Sequence, residues 1–186
     1  VAQFQAEGRI EQARSLVATT LWLYVGLGLL AVVLGVVLAP IVPILLNLPP
    51  DQQATASWLM VLSGLGLGVS LPGATSIAVL RGLHRFDLAN LVGIFGMTLF
   101  TIATVTAVLL GGGVLGMVAV SIPVTLLTQL PAIWLIRRTA PELRFGWRDT
   151  NRNLLKTVTS FSSALFVINV AGQLQTKTDE IVIGAF

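Results

Sequence analysis

Between Arg14 and Asp51 this chain carries no charged side chain, and none falls between Asp51 and Arg81 or between Asp87 and Arg137. Apolar runs of that length leave few folds open. A helix rises 1.5 Å per residue, so roughly 20 apolar residues cross about 30 Å of hydrocarbon. Residues 16–46 form the first such run, and Pro40 and Pro43 are expected to break or kink its far end. Asn47 to Gln53 reads as a polar turn without a cation. A second span covers 54–79 and closes on Arg81, His84 and Arg85. The third covers 89–110 and ends on Gly111 to Gly113, a tight turn in which glycine accepts positive φ. The fourth covers 114–136 and ends on Arg137 and Arg138. A last apolar stretch occupies 157–186.

Composition agrees with these spans. The chain is 55% hydrophobic and 10% charged, with a mean hydropathy of +0.89, which is far from the balance of a soluble domain. The expected fold is all-α: a polytopic transmembrane helical bundle. A net charge of +3 and a pI near 10.2 do not indicate nucleic acid, because the cations flank apolar runs instead of interleaving with aromatics on a polar surface. With no cysteine, neither a disulfide framework nor a thiolate metal site is available. Val1 is not an initiator methionine and Phe186 ends inside an apolar run, so a fragment of a longer polypeptide is expected.

Ten of the eleven cations fall in three clusters. In chain order the polar connections are basic (Arg9, Arg14), neutral to acidic (Asp51), basic (Arg81, Arg85), neutral (the glycines) and strongly basic (137–156). Under the positive-inside tendency the three basic connections are cytoplasmic, and four spans plus the start of a fifth fit that alternation. Trp22, Tyr24 and Trp134 lie near predicted inner boundaries and Trp58 near an outer one. In the segment 137–156, Leu143, Phe145, Trp147, Leu154 and Leu155 interleave with cations. That pattern fits either an interfacial helix on anionic headgroups or an ordinary anchoring loop.

Small residues inside the spans bear on how helices meet. Gly64 and Gly68 have the GxxxG spacing that lets backbones approach closely. Pro72 removes a backbone hydrogen bond near the middle of the second span, and Pro123, with Thr125, Thr128 and Gln129 nearby, raises the same possibility in the fourth. Both prolines are candidate conformational hinges. Such features line cavities in transporters and also occur in static bundles.

The second basic connection runs Val79-Leu80-Arg81-Gly82-Leu83-His84-Arg85-Phe86-Asp87-Leu88-Ala89-Asn90. Its arginine-glycine turn, followed by an aromatic, an acid and an asparagine opening the next helix, resembles the fourth-to-fifth helix loop of polysaccharide flippases. The end of the chain, Gln173 through Thr178-Asp179-Glu180-Ile181-Val182-Ile183-Gly184, resembles the seventh helix of the same family. Together they resemble the lipid-linked oligosaccharide exporters of the multidrug/oligosaccharidyl-lipid/polysaccharide superfamily, the O-antigen flippase type. The resemblance implies helices three to seven of a two-lobe transporter of twelve to fourteen helices. Residues 1–136 would then belong to the N-terminal lobe, 137–156 to a basic cytoplasmic crossover and 157–186 to the first helix of the C-terminal lobe. It also implies an inner-membrane carrier that moves a glycan on a polyprenyl pyrophosphate by alternating access, with membrane lipids and polysaccharide polymerase or assembly proteins as partners.

Asn169, Gln173, Lys177 and Glu180 fall at i, i+4, i+8 and i+11, on one face of a helix. Charged groups on a spanning helix cost a few kcal/mol and usually serve function. This stripe is expected to line a central cavity. There Lys177 would attract the pyrophosphate, while Asp179 or Glu180 would pair with it or take a coupling proton or sodium ion. The alternative is a boundary position, with Lys177 snorkelling and Asp179 capping a break in the helix.

Arg81 and Arg85 are candidates for guiding an anionic headgroup at a cytoplasmic mouth. His84, the only histidine, lacks companions at ligand spacing, so no metal site is expected. Asp87 reads as a helix N-cap or a partner for Arg85 in preference to a catalytic base. No phosphate-cradling loop or nucleophile elbow occurs, so no enzyme is expected, and no cofactor beyond a coupling ion. A drug or cation antiporter on the same fold, or a scaffold that transports nothing, are the other readings. The first calls for a carboxylate deep in an early span, and the spans before the last contain none.

Overall fold

A computed structural model of the chain describes residues 10–141. The chain divides into two units, 1–150 and 151–186, and the described residues lie in the first. They form five helices and, among the described residues, no strand: α1 (Ile10–Leu38), α2 (Ile41–Leu45), α3 (Pro50–Gly82), α4 (Phe86–Leu109) and α5 (Gly113–Thr139). All but α2 are long and apolar enough to cross a membrane. The shortest of these four, α4, has 24 residues and is about 36 Å long. Leu29, Met97, Leu109 and Leu110 are among many large apolar side chains left exposed. That is the surface of a membrane protein, with its apolar side chains outward.

Helix boundaries follow local chemistry. Proline has no N–H and disfavours helix in the residue before it, so α1 stops at Leu38, two residues short of Pro40. The single run expected over 16–46 is therefore two helices, α1 and the short α2, and α1 starts earlier than expected, at Ile10. Pro50 opens α3 at a position where its missing N–H costs nothing. Three helices end in one way. Asn47 N–H donates to Ile44 O (3.1 Å) and Leu48 N–H to Pro43 O (3.0 Å); His84 N–H donates to Arg81 O (3.0 Å) and Arg85 N–H to Leu80 O (3.0 Å); Gly111 N–H donates to Val108 O (2.9 Å) and Gly112 N–H to Ala107 O (2.8 Å). These paired bonds are Schellman closures, which place one residue in the left-handed region. Asn47 (φ 49°), His84 (φ 57°) and Gly111 (φ 78°) occupy it. Gly82, expected to make the turn after Arg81, stays in α3, and the reversal comes at His84.

Contacts fix the helix directions. α1 and α3 are antiparallel and meet backbone to backbone. A Cβ added at Gly28 would lie 2.7 Å from Gly68 O, one at Gly35 would lie 2.8 Å from Met60 O, and one at Gly64 would lie 2.8 Å from Ala31 O. Gly68 O is the carbonyl four residues before Pro72, which has no N–H to give it. It faces Gly28 instead, the close Cα–H approach that glycine seams permit. Ser57 Oγ donates to Ala39 O (2.8 Å) and ties off the end of α1. Antiparallel α4 and α5 meet where Gly96 faces Thr128 and Ala107 faces Gly116. α3 and α5 run parallel, with Gly66 opposite Ser121 and Gly73 opposite Gln129.

A core of Ala13, Val17, Val79, Leu80, Ala89, Val92, Ala132, Ile136 and Ala140 gathers the four long helices at the end that carries Arg14, Arg81, Arg85, Arg137 and Arg138. Small residues dominate it, so the helices converge closely at this basic end. α3 lies between α1 and α5 and packs on both.

Candidate functional site

α1, α3 and α5 bound a cleft of about 810 Å³, within the usual range for a ligand site. Its walls are largely apolar: Leu21 from α1, Val69 and Val79 from α3, Leu126, Ile133 and Ile136 from α5. Pro72, Gly73, Thr75, Ser76 and Gln129 form a polar strip along it, and Arg137 and Ala140 stand at the basic end. On α3 the lining runs from Val69 to Val79, about 15 Å of helix, so the cleft reaches from the basic end toward mid-helix.

Two of its polar groups have no partner. Among the described residues, the buried side-chain oxygens without a hydrogen bond are Thr75 Oγ1, Thr104 Oγ1 and Gln129 Oε1. Thr75 is 4% exposed. Leaving such a group unpaired costs about 1–3 kcal/mol. A helical threonine ordinarily satisfies itself by donating back to the carbonyl four residues before, as Thr19, Thr101, Thr106, Thr125, Thr128 and Thr139 all do at 2.7–2.9 Å. Thr75 does not. The Gln129 amide lies over Gly73 so closely that any side chain there would overlap it. Glycine at 73 makes the room that lets a glutamine of α5 lie on the backbone of α3.

The structure distributes the candidate residues unevenly. Pro72 lines the cleft; Pro123 lies in α5 outside its lining, and both helices run unbroken through them. α5 holds a further proline, Pro131, so Gln129 sits between two positions that lack a helix N–H. Arg81 is exposed in the last turn of α3 and does not line the cleft. Arg85 forms a two-pronged ion pair with Asp87, Nε to Oδ1 and Nη2 to Oδ2, each 3.1 Å. The hydrogen bond from Arg85 to Asp87, with the carboxylate charge, raises the guanidinium pKa further. The N-cap of α4 is Arg85, without a side-chain cap bond, so Asp87 acts as the ion-pair partner and not as the cap. His84 sets its ring edge-on to Phe86 at 6.2 Å, and no group of metal-ligating side chains occurs among the described residues. Asn169, Gln173, Lys177, Asp179 and Glu180 lie outside the described residues, as do the segment 142–156 and the stretch 157–186.

The cleft joins an apolar groove to a polar strip and a cation. Comparison with known families names the setting: the polysaccharide biosynthesis protein family model matches residues 5–186. The chain belongs to that family. No curated protein and no solved structure matches it. A family member with four helices long and apolar enough to cross a membrane is a membrane protein of polysaccharide biosynthesis, as the loop motif at residues 79–90 and the motif at the end of the chain led one to expect.

Arg137 was legible in the sequence only as the edge of a basic segment, and Thr75 and Ser76 not at all. Gln129 stood out as a polar group inside an apolar span. That signal is a real one, because an uncharged amide in a spanning helix must find protein or water to face.

Proposed function

We propose that the chain is part of a carrier that moves polyprenyl-pyrophosphate-linked glycan precursors across the inner membrane by alternating access, with its basic end cytoplasmic. The single observation that supports this reading most is the cleft. It is apolar along its walls, polar along one strip and cationic at Arg137, which suits a ligand with a lipid tail, a polar chain and a phosphate. Membership of a polysaccharide biosynthesis family supplies the chemical class. In this reading Arg81 and the Arg85–Asp87 pair surround the cytoplasmic mouth, and Pro72 and Pro123 absorb the change between inward-open and outward-open shapes. Lys177, Asp179, Glu180, Gln173 and Asn169 would face the cavity from the stretch 157–186, and the two carboxylates would handle a coupling proton or sodium ion. Bilayer lipids and polysaccharide polymerase or assembly proteins are its partners, and it carries out no covalent chemistry.

Complementation of a flippase-deficient strain with the complete reading frame tests the function. Restored glycan export is expected, and failure of a well-expressed, inserted protein to restore it would overturn the proposal. A Lys177→Ala variant that exports at the wild-type rate would remove Lys177 from the cavity.

A further inference from the structure

We propose that the polar strip of the cleft reads hydroxyl or amide groups of the glycan, at Gln129 and Thr75, while Arg137 holds the attached phosphate. This rests on the transport reading and assigns the parts of the ligand to positions along the cleft.

The assignment comes from donor and acceptor count. Gln129 Oε1 is an acceptor only, and it is unpaired. An ionised diphosphate offers acceptors alone and leaves that oxygen unmet. Sugar hydroxyls and N-acetyl amides carry donors, and a hydroxyl also accepts from Thr75 Oγ1–H or the Gln129 amide. Thr75 is the second, independent sign. It lines the cleft, is 4% exposed and, unlike the six helical threonines that donate back to the preceding turn, has no partner. Thr104, the other unpaired buried threonine among the described residues, lies outside the lining. Nothing in α3 or α5 competes for either oxygen. The phosphate has its own place, since among the described residues Arg137 is the only charged side chain in the lining. Eight residues of α5 separate Gln129 from Arg137, about 12 Å along the axis. An oligosaccharide covers that distance and a bare diphosphate does not. The ligand therefore lies with its phosphate at the basic end and its sugars pointing toward mid-helix.

The test measures binding to the complete protein in lipid nanodiscs, using lipid-linked oligosaccharide extracted from the producing cells and the bare polyprenyl diphosphate. Wild type is expected to bind the glycosylated lipid about tenfold more tightly than the bare one, in keeping with hydrogen bonds that a polar site makes to one ligand and not the other. Thr75→Val combined with Gln129→Leu is expected to abolish that preference and leave the bare diphosphate affinity unchanged. Arg137→Gln is expected to weaken both ligands alike. Thr75→Val removes an unpaired oxygen at nearly constant shape, so the ligand-free variant should melt no lower than wild type, which separates loss of recognition from loss of fold. Retention of the preference in the double variant would overturn the proposal while leaving transport standing. Wild type stabilised by sodium alone, with the effect lost in the double variant, would overturn it in favour of an ion site. Binding of neither lipid would overturn both this proposal and the transport reading.

Discussion

His84 does at the end of α3 what glycine does at the end of α4. Both residues take the left-handed conformation that a Schellman closure requires. Histidine pays a steric cost there, since a Cβ approaches the carbonyl in that region, worth roughly 1–2 kcal/mol. His84→Gly is therefore expected to hold or raise the melting temperature of the solubilised full-length protein. His84→Val, β-branched and stiff, is expected to lower it by a few degrees. A His84→Gly variant markedly less stable than wild type would show that the imidazole contact with Phe86 outweighs the backbone strain. This role was not legible in the sequence. Gly82, two residues earlier, is the residue that normally signals such an ending, and a lone histidine in a basic connection suggests ligand chemistry before backbone geometry. The Arg85–Asp87 pair was legible, because opposite charges two residues apart at a helix start have few other ways to settle.

The α1–α3 pair shows which part of a helix contact a sequence can carry. Gly64 and Gly68 announce themselves by spacing, but their partners Gly28 and Gly35 are two turns apart and give no such signature. What a single sequence lacks is the offset between the helices, which sets which residue faces which. The contacts now distinguish glycines that look alike in the sequence. Gly26 has open space where a Cβ would go, and Gly28 has the backbone of Gly68. Gly26→Ala should leave the melting temperature near wild type. Gly28→Ala forces backbone against backbone, where no side chain gives way, and should destabilise by about 1–3 kcal/mol, the range of overpacked cores. Equal effects of the two substitutions, measured in the same detergent, would contradict the seam. Similar reasoning limits what prolines reveal. Pro40 ends a helix as expected, whereas Pro72, Pro123 and Pro131 sit within continuous helices, and the carbonyl that Pro72 releases, Gly68 O, faces Gly28.

Across the whole molecule, the spans and their alternation with basic connections were readable from hydropathy and charge, and the family followed from two short motifs. The cleft was not, since it depends on three helices meeting at the basic end and leaving a groove between them. This changes which arginine matters. The sequence draws attention to Arg81 and Arg85, but in the structure one is outside the lining and the other is held by Asp87, whereas Arg137 stands in the cleft. In the complementation assay Arg137→Gln is expected to cut export by about 10- to 100-fold, the worth of a hydrogen bond to a charged group. Arg81→Gln is expected to cost less than about twofold, as exposed charges do. The reverse order would move the anion site out of the cleft. One consequence concerns the glutamine that lies over Gly73. At Gly28, Gly35 and Gly64, α1 and α3 meet backbone on backbone, which has no rotamers to exchange. Midway along the cleft, by contrast, α3 meets α5 through one side chain resting on one glycine. A change among the staggered settings of Gln129 would therefore alter the depth of the cleft at that point without displacing a helix.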